Sequence, residues 1–511
     1  MMIEGGRPVA ACPVKRGRNG IEAKVNDAHS AAAARYPTLN HYVAGDWIEA
    51  GRRAEQAVID PTTGLELGRV PLADGDDLDK AIRSAGDAFQ PWRRVPALDR
   101  SRYLRDIAQI LRGWRDEWAE LIALELGKPL SEALREADIA CEMFEWAAEE
   151  ARRLYGRTIP ARSPRLRIMT ISEPVGPVAA ICGWNAPAIT PARKISAALA
   201  AGCTIVVKPS EATPATALLL ARACAAASLP AGVVNIIFGD PPQLGNRFAS
   251  DPAIAAISFT GGTEVGKRLS AIAGGTLKRA VFELGGHAPV LVFEDSDVEG
   301  VAQACAIAKF RNSGQICTSP TRLLVQSQCV DRFTESLVAA VRAWQVGDPF
   351  EPGVQMGPLQ NARRRDTISA FVADARMQGA TLLAGGEQIE GDGFFYRPTL
   401  LGDVPASALI RHQEPFGPLA AILPFDDVDD AIAQANELPF GLAAYAFTND
   451  LRIAERLSKE IEAGTLAINH WSASFPETPF GGVKDSGVGS EGGIEGVAAF
   501  QQVRLVSVGS H

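Results

Sequence analysis

Short strand-like segments alternate with helical segments through most of this sequence. From Val175 onward, runs such as VGPVAAICGW, TIVVKPSEA and AAISFTGG are separated by helix-like stretches such as PATALLLARACAAASL. A second alternating series, from APVLVFED to GTLAINH, follows from about Gly286. This pattern is typical of parallel sheets covered by helices on both faces. The sequence therefore predicts an α/β fold with two such sheets.

The segment ahead of the first sheet has a helical pattern. Between Asp77 and Arg153, apolar residues recur three and four positions apart. A chain of 511 residues is long enough for about two to four domains, and a cleft between domains can hold a ligand. Residues 1–35 mix Arg, Lys, Gly and Asp and lack the apolar core of a secretory signal. We expect a mobile N-terminal extension there.

The charge distribution points to small-molecule partners. The net charge is −9, with acidic and basic residues interleaved, so neither nucleic acid nor a membrane is an expected partner. The apolar run 197–207 ends at Lys208, well short of the roughly 20 residues that span a bilayer. The eight cysteines include no CxxC pair, which favours a reducing, cytoplasmic location. No spacing typical of metal ligands occurs.

Two strand ends carry groups suited to a dinucleotide, although the sequence contains no GxGxxG fingerprint after the first strand. Lys208 and Glu211 follow one strand. A carboxylate at this place can accept both ribose hydroxyls and would repel a 2′-phosphate, which favours NAD over NADP. Gly261 and Gly262 lie between a strand and a helix, where bare backbone N–H groups bind phosphate well. Glycine turns before helices are common, so neither motif alone identifies a site.

Seven short segments give a more specific signal. They are GWNAP (183–187), KPSE (208–211), FTGGTEVG (259–266), FELGG (282–286), GQIC (314–317), EPFGP (414–418) and PFGG (479–482). In this order and at these spacings, the chain resembles the aldehyde dehydrogenase superfamily. The resemblance covers nearly the whole chain after about residue 36.

The resemblance implies a subunit of three parts. A Rossmann-type NAD-binding domain would comprise residues 36–154 and 174–285, and an α/β catalytic domain would comprise residues 286–485. A small β oligomerisation flap would combine residues 155–173 with the tail, 486–511. Members of this family are usually homodimers or homotetramers, so the same is expected here.

The stretch NSGQICTSP carries the expected nucleophile. Oxidation of an aldehyde needs a group that makes the carbonyl carbon tetrahedral, so that hydride can leave for a nicotinamide. By resemblance, Cys317 is that nucleophile and Glu283 activates the water that hydrolyses the thioester. Asn185 would donate to the oxyanion together with the N–H of Cys317. Taken singly, these residues also fit a buried thiol, a strand-end salt bridge and a turn amide. The presence of Glu283 argues against a CoA-acylating branch.

The resemblance also implies which residues line the cofactor, NAD with NADP as an alternative. They are Trp184, Lys208, Ser210, Glu211, Thr260, Gly261, Gly262, Gly266, Leu284, Glu414 and Phe416. Of these, Glu414 and Phe416 match the residues that hold the nicotinamide ribose and ring.

Four residues bear on the aldehyde substrate. Ala186 replaces the Phe or Tyr that often follows the catalytic Asn, which should open the substrate tunnel. Arg193, Arg311 and Ser474 match positions where succinate-semialdehyde dehydrogenases bind the distal carboxylate. An arginine beside an apolar tunnel is costly unless it meets an anion, and guanidinium pairs bidentately with carboxylate. We therefore expect a carboxylate-bearing semialdehyde such as succinic semialdehyde.

Other interpretations fit the same residues. The segment INHWSASFPET departs from the succinate-semialdehyde pattern at Trp471 and Pro476, so another ω-semialdehyde, or an aromatic aldehyde stacked on Trp471, is also compatible. In a broad aliphatic or aromatic aldehyde dehydrogenase, the arginines would pair with protein carboxylates instead. A catalytically silent binding homologue is a third alternative, against which the intact Cys317, Glu283 and Asn185 argue.

Overall fold

The computed structural model describes residues 26–509, and the N-terminal part of this range is mostly helical. Its elements are α1 (Asp27–Ala33), β1 (His41–Val43), β2 (Asp46–Ile48), β3 (Glu55–Ile59), β4 (Glu66–Pro71), α2 (Gly75–Trp92), α3 (Ala97–Gly113), α4 (Arg115–Leu126), α5 (Leu130–Ala151), β5 (Thr158–Ile159) and β6 (Leu166–Pro174). α2 begins at a capping box, in which the side chains of Asp74 and Asp77 accept from each other's backbone N–H. α4 ends at Gly127, whose φ of 77° is left-handed.

The remaining elements alternate between strands and helices. The first half of them comprises β7 (Val178–Ile181), α6 (Ile189–Ala201), β8 (Ile205–Lys208), α7 (Pro214–Ala226), β9 (Val234–Ile236), α8 (Pro241–Ser250), β10 (Ala256–Thr260), α9 (Thr263–Gly275), β11 (Arg279–Glu283), β12 (Ala288–Val292), α10 (Val298–Phe310), β13 (Pro320–Gln326) and α11 (Val330–Arg342). The second half comprises α12 (Ala362–Met377), β14 (Thr381–Ala384), β15 (Thr399–Gly402), α13 (Leu409–His412), β16 (Leu419–Phe425), α14 (Val428–Asn436), β17 (Phe440–Gly441), β18 (Ala443–Phe447), α15 (Leu451–Glu460), β19 (Thr465–Ile468), β20 (Val483–Lys484), β21 (Gly487–Val488), α16 (Gly493–Ala498) and β22 (Gln501–Gly509). Within residues 26–509, no helix is long and apolar enough to cross a membrane.

Two sheets form the cores of the two large parts of the molecule. The first has eight strands in the order β2-β1-β9-β8-β7-β10-β11-β21. Its strands from β9 to β11 run parallel, and β7, β8 and β9 are buried at every residue, as helices on both faces require. The second has seven strands in the order β14-β15-β16-β13-β12-β18-β19, parallel except for β14. The predicted α/β class with parallel sheets is confirmed.

A third sheet joins the end of the chain to the segment before β7. β22 pairs antiparallel with β6 over nine residues, and β5 completes the order β22-β6-β5. Part of the tail departs from the boundaries expected for the flap. β21 belongs to the first sheet, and α16 packs on α5 and α6. The cause is a backbone hydrogen bond from Leu284 N to Ser486 O (2.9 Å), which holds this segment at the end of β11.

Residues 26–35 also differ from the expected mobile extension, whose other residues, 1–25, lie outside the described part of the chain. They include α1, on which His29 is 1% exposed. Its Nε2 lies 2.7 Å from Asp60 Oδ2 and its Nδ1 lies 2.8 Å from Asp348 Oδ1. The ring also packs on Phe350, with centroids 4.8 Å apart. Burial alone would lower the pKa of His29, but the two carboxylates outweigh it and raise the pKa to about 9.

The contacts of His29 with Asp60 and Asp348 predict a pH-dependent contribution to the stability of the fold. Because the pKa of His29 is higher in the folded protein (about 9) than its ordinary value of 6.5, its stabilisation is complete below pH 6.5 and is lost as the pH rises through 9. The difference in unfolding free energy between the wild type and His29→Gln should therefore shrink by up to about 3 kcal/mol across this range. Urea unfolding from pH 6 to 9.5 measures it. His412→Gln, at an exposed histidine, is the control, and a difference that does not change with pH would contradict the prediction.

Candidate active site

The site lies where the carboxyl ends of the first sheet meet a loop of the second. Asn185 follows β7, while Thr260 ends β10 and Glu283 ends β11. Thr260 and Glu283 stand opposite each other in the parallel register. Carboxyl ends of parallel strands share one edge of a sheet, which is where ligands bind in open α/β folds. Cys317 reaches this edge from the loop between α10 and β13.

The loop before Cys317 has an uncommon backbone. Asn312, Ser313 and Gly314 have consecutive φ values of 47°, 54° and 69°, in the left-handed region that favours glycine. A Cβ at Gly314 would lie 2.2 Å from the carbonyl oxygen of Gly417, so only glycine fits there. The two preceding residues adopt the same conformation at a cost of about 1–3 kcal/mol each.

Hydrogen bonds to distant segments hold this strained loop. The hydroxyl of Ser313 donates to the carbonyl of Gly357 (2.8 Å). The backbone N–H of Asn312 donates to Glu132 Oε2 (2.9 Å), and its side-chain amide donates to the carbonyl of Asn185 (2.9 Å). The loop that carries the thiol is therefore tied directly to the loop that carries the predicted oxyanion donor.

The thiol of Cys317 and the carboxyl of Glu283 face each other in a poorly solvated pocket. Burial first, and the Glu283 carboxylate second, raise the pKa of Cys317 well above its ordinary value. Burial also raises the pKa of Glu283 to about 7, despite the opposing effect of its contact with the thiol. Glu283 Oε1 has no hydrogen-bond partner among residues 26–509. Near neutral pH this carboxyl can accept a proton either from the thiol or from a water molecule.

Lys208 and Glu211, predicted to line the cofactor, form a buried pair. Lys208 Nζ donates to Glu211 Oε2 (2.5 Å) and to the carbonyl of Pro209 (3.1 Å). Glu211 Oε1 accepts from the backbone N–H of Gly239 (2.9 Å). Each carboxylate oxygen thus has one protein donor and keeps a lone pair for a further hydroxyl. The neighbouring Ser210 is half-buried, and its hydroxyl accepts from Ala212 N (3.2 Å).

The glycine turn after β10 leaves open space at the start of α9. A Cβ at Gly262 would meet no atom within 4 Å, whereas one at Gly266 would overlap Leu284 at 2.3 Å. The N–H of Gly261 donates to the carbonyl of Glu283 (3.1 Å), which holds Gly261 at the end of β11. The buried hydroxyl of Thr260 has no partner in the part of the chain that the structure describes. An orphaned hydroxyl beside an open helix start fits a polar ligand such as a dinucleotide phosphate or ribose.

Glu414 and Phe416 approach from the second sheet. Glu414 Oε1 accepts the backbone N–H of Gly286 (3.2 Å), and burial raises the pKa of Glu414 to about 8. Phe416 has a φ of 46°, and its ring meets Trp184 edge-on at 5.5 Å. The guanidinium of Arg364 lies over the Phe416 ring (5.6 Å) and donates to the Phe416 carbonyl (2.9 Å), which holds this backbone in place.

The two predicted substrate arginines have different surroundings. Arg193 donates to the hydroxyl of Ser474 (3.2 Å), lies 3.7 Å from Glu491 Oε2, and covers the ring of Phe480 at 4.7 Å. The side chain of Arg311 is half-buried and makes no hydrogen bond or ion pair with any residue in the range 26–509. Arg193 therefore already has a protein carboxylate, whereas the charge of Arg311 is available to a ligand. Ala186 is half-buried beside Asn185.

Several residues of this site escaped the sequence analysis. Glu132 and Asn312 connect the two catalytic loops, and Lys194 forms a buried pair with Glu491. Tyr445 donates its hydroxyl to the carbonyl of Thr318 (2.9 Å), next to the thiol. Charged side chains within otherwise apolar helix faces were the available signal for Glu132 and Lys194. No group of three or more potential metal ligands occurs among the described residues.

Comparison with known families decides the classification. Residues 47–506 match the aldehyde dehydrogenase family. The chain belongs to this family.

Aldehyde dehydrogenases and related enzymes from several bacteria resemble it over almost their whole length. The 4-(hydroxymethyl)benzenesulfonate dehydrogenase of Comamonas testosteroni is 42% identical, covering 91% of this chain and 97% of the relative. The NADP⁺-dependent succinate-semialdehyde dehydrogenase of Escherichia coli is 40% identical, covering 91% and 96%. The crystal structure of betaine aldehyde dehydrogenase from Staphylococcus aureus in complex with NAD⁺ has a TM-score of 0.91 at 30% identity, covering 94% and 97%.

The raised pKa of Cys317 predicts slow alkylation of this aldehyde dehydrogenase in the absence of cofactor. The rate of carboxamidomethylation by iodoacetamide should rise about tenfold per pH unit from pH 7 to 9 without a plateau, because only the thiolate reacts. Glu283→Gln removes the adjacent negative charge and should move this curve to lower pH. The other described cysteines are buried, so Cys317→Ala provides the background. A wild-type curve that already bends towards a plateau between pH 8 and 9 would show that the thiol has an ordinary pKa.

Proposed function

We propose that this aldehyde dehydrogenase oxidises an aldehyde with a distal anionic group to the corresponding carboxylic acid. NAD is the proposed hydride acceptor, with NADP as the alternative. The observation that carries the proposal is the guanidinium of Arg311, which makes no hydrogen bond or ion pair with residues 26–509 and lies between α10 and β13, as Cys317 does. An arginine without an ion pair, six residues before the proposed nucleophile, suits a substrate that supplies the missing anion.

Cys317 is the proposed nucleophile. Its sulfur adds to the carbonyl carbon and forms a thiohemiacetal, whose oxyanion accepts hydrogen bonds from Asn185 and from the N–H of Cys317. Loss of hydride to the bound nicotinamide, the one step that the cofactor supplies, leaves a thioester on the sulfur. The link from Asn312 to the carbonyl of Asn185 supports this role, because it fixes the two donor loops relative to each other.

Glu283 is the proposed base. Its carboxylate takes a proton from the thiol before attack, and later from the water that cleaves the thioester into acid and free thiol. A pKa of about 7 suits both transfers near neutral pH, since the group accepts a proton readily and releases it again. The unpartnered Oε1 is available to hold that water.

The proposed cofactor site uses the edge of the first sheet. Glu211 would accept ribose hydroxyls through its free lone pairs, and the open start of α9 at Gly262 would receive a phosphate. Trp184 and Phe416, whose rings touch edge-on, would line one side of the nicotinamide, with Glu414 on its ribose. The NAD⁺ complex of the related betaine aldehyde dehydrogenase supports this proposal. The NADP⁺ named for the E. coli relative is the reason to keep NADP as an alternative.

The relatives support an anionic substrate without agreeing on its shape. One is named for succinate semialdehyde, which carries a carboxylate, and another for a benzenesulfonate. A semialdehyde such as succinic semialdehyde is therefore the first candidate. An aromatic aldehyde with an anionic substituent is the second, favoured by the ring cluster in which Trp471 packs on Tyr445 (5.4 Å) and Phe447 (4.7 Å). Tyr445 connects this cluster to the nucleophile loop through Thr318.

We further propose a homodimer or homotetramer located in the cytoplasm. β22 is the edge strand of its sheet, and Val503 and Leu505 on it are 69% and 63% exposed. Exposed apolar edge strands favour pairing with another chain. The cysteines in the described range are all free, which suits a reducing compartment.

Glu283→Gln tests the two-step chemistry. Without the base, water attacks the thioester slowly, so kcat should fall by about 10²–10⁴ while the first turnover still forms NADH. Rapid mixing should show a burst approaching one NADH per site, and mass spectrometry should find an acyl group on Cys317. Glu294→Gln, at an exposed glutamate beyond β12, is the control. If NADH forms at the wild-type rate in the first turnover but no acyl-enzyme accumulates, thioester hydrolysis is not the role of Glu283.

Arg311→Met tests recognition of the anion. For succinic semialdehyde, kcat/KM should fall about 10- to 100-fold, because the variant loses a charge-assisted hydrogen bond that contributes about 1.5–3 kcal/mol. For butanal it should change little. The pair 4-formylbenzenesulfonate and 4-methylbenzaldehyde gives the same comparison for aromatic substrates and ranks the two candidates.

Two further variants make this comparison decisive. Arg332→Met, at an exposed arginine of α11, is the surface control. Arg193→Met should lower activity towards charged and neutral aldehydes alike, since Arg193 is engaged with Glu491. Equal losses on butanal and succinic semialdehyde in Arg311→Met would rule out an anion site at Arg311.

A further inference from the structure

Two carboxylates of α5 reach the two loops of the active site. Glu132 and Glu136 lie one helical turn apart on the same helix face. Glu136 Oε1 accepts the backbone N–H groups of Ala188 (2.9 Å) and Ile189 (3.4 Å), at the start of α6 and shortly after Asn185. Glu132 Oε2 accepts the backbone N–H of Asn312 (2.9 Å), at the start of the strained segment before Cys317.

A third contact closes these links into a ring. The side-chain amide of Asn312 donates to the carbonyl of Asn185 (2.9 Å) and to the carbonyl of Gln315 (3.2 Å). A closed path therefore runs from α5 through Glu136 to the Asn185 loop, across to Asn312 and back to α5 through Glu132. It consists of hydrogen bonds and a few residues of chain. Residues 185–188 lie outside any helix or strand, and Asn312 lies in a single 3₁₀ turn whose backbone is left-handed at Asn312 and Ser313. The ring therefore supplies the order that a longer helix or a sheet would provide.

We propose that Glu132 and Glu136 are positioning residues, which set the separation between the side-chain amide of Asn185 and the backbone N–H of Cys317. Oxyanion donors must be held within roughly 0.5 Å of their working positions, and a misplacement of about 1 Å can cost about 100-fold in rate. The proposal rests on attack by Cys317 at a carbonyl carbon and is independent of which aldehyde the enzyme prefers.

The charges around the two carboxylates suit this role. The other oxygen of Glu136 pairs with the buried Lys128, which leaves Glu136 Oε1 directed at the start of α6, where a negative charge is favourable. Burial raises the pKa of Glu132, whereas Lys128 and Arg311 oppose that effect. Glutamine retains the accepting oxygen and removes the charge, so Ala and Gln variants separate the hydrogen bond from the electrostatic contribution.

Two reactions of the same thiol test the proposal. Attack of Cys317 on 4-nitrophenyl acetate passes through an oxyanion and needs both donors. Alkylation by iodoacetamide displaces iodide and forms no oxyanion. In Glu132→Ala, acylation should slow about 10- to 100-fold, with alkylation within about twofold of wild type. Glu132→Gln should restore most of the acylation rate. Glu136→Gln has one oxygen for two donors, Ala188 N–H and Lys128 Nζ, so its acylation rate should lie below that of Glu132→Gln. Glu142→Ala, at an exposed position of the same helix, is the matched control.

The outcomes separate positioning from general damage and from the function proposed above. The stoichiometry of alkylation counts folded sites in each variant, and with a neutral aldehyde kcat should fall while KM stays nearly constant. Equal losses in acylation and alkylation, or no loss in either, would overturn the positioning role. If the wild type oxidises no aldehyde but Glu132→Ala still loses acylation selectively, the proposed function fails and the positioning role stands.

Discussion

The active site depends on a close backbone contact between the two large parts of the molecule. A Cβ at Gly286 would lie 2.4 Å from the carbonyl oxygen of Cys317, so the segment after β11 approaches the nucleophile loop as only glycine allows. The N–H of Gly286 also binds Glu414, and Glu283 ends β11 three residues earlier. One contact thus brings the thiol, the neighbouring carboxyl and Glu414 to the same place. The left-handed turn ending at Gly314 completes the approach from the other side.

The pocket formed in this way favours neutral side chains. Burial raises the pKa of Glu283 to about 7 and of Glu414 to about 8, and it lowers the pKa of Lys309 to about 7. The pKa of Cys317 rises for the same reason. When a proton moves from this thiol to Glu283, it therefore stays within one poorly solvated pair of side chains. The negative charge then lies on the sulfur, at the place where a carbonyl would bind. Low solvation keeps the fraction of thiolate small before substrate binds. It also strengthens each preorganised hydrogen-bond donor during attack.

Local sequence patterns predicted the parallel sheets and the polar residues at the ends of β8 and β10, and the family resemblance added those that follow β7 and end β11. Both kinds of signal are contiguous in the chain. The contacts that hold the loops are of another kind. Glu132 and Asn312 are separated by 180 residues, and His29 and Asp348 by 319. No periodicity or motif encodes such pairs, since they exist only after the sheets have been brought together. The expected mobility of residues 26–35 was wrong for this reason.

The two arginines differ because only Arg193 lies beside a carboxylate that forms an ion pair with it. Arg193 lies beside Glu491, which also pairs with the buried Lys194, so its charge belongs to an internal cluster. Arg311 makes no ion pair within residues 26–509, and its charge acts on the buried Glu132 and on Tyr445. Because Coulomb attraction declines gradually with distance, such a charge would favour the proposed anionic substrate without fixing how far the anion is from the aldehyde. The walls of the tunnel, with Ala186 on one loop and Trp471 on another, would then set length and shape.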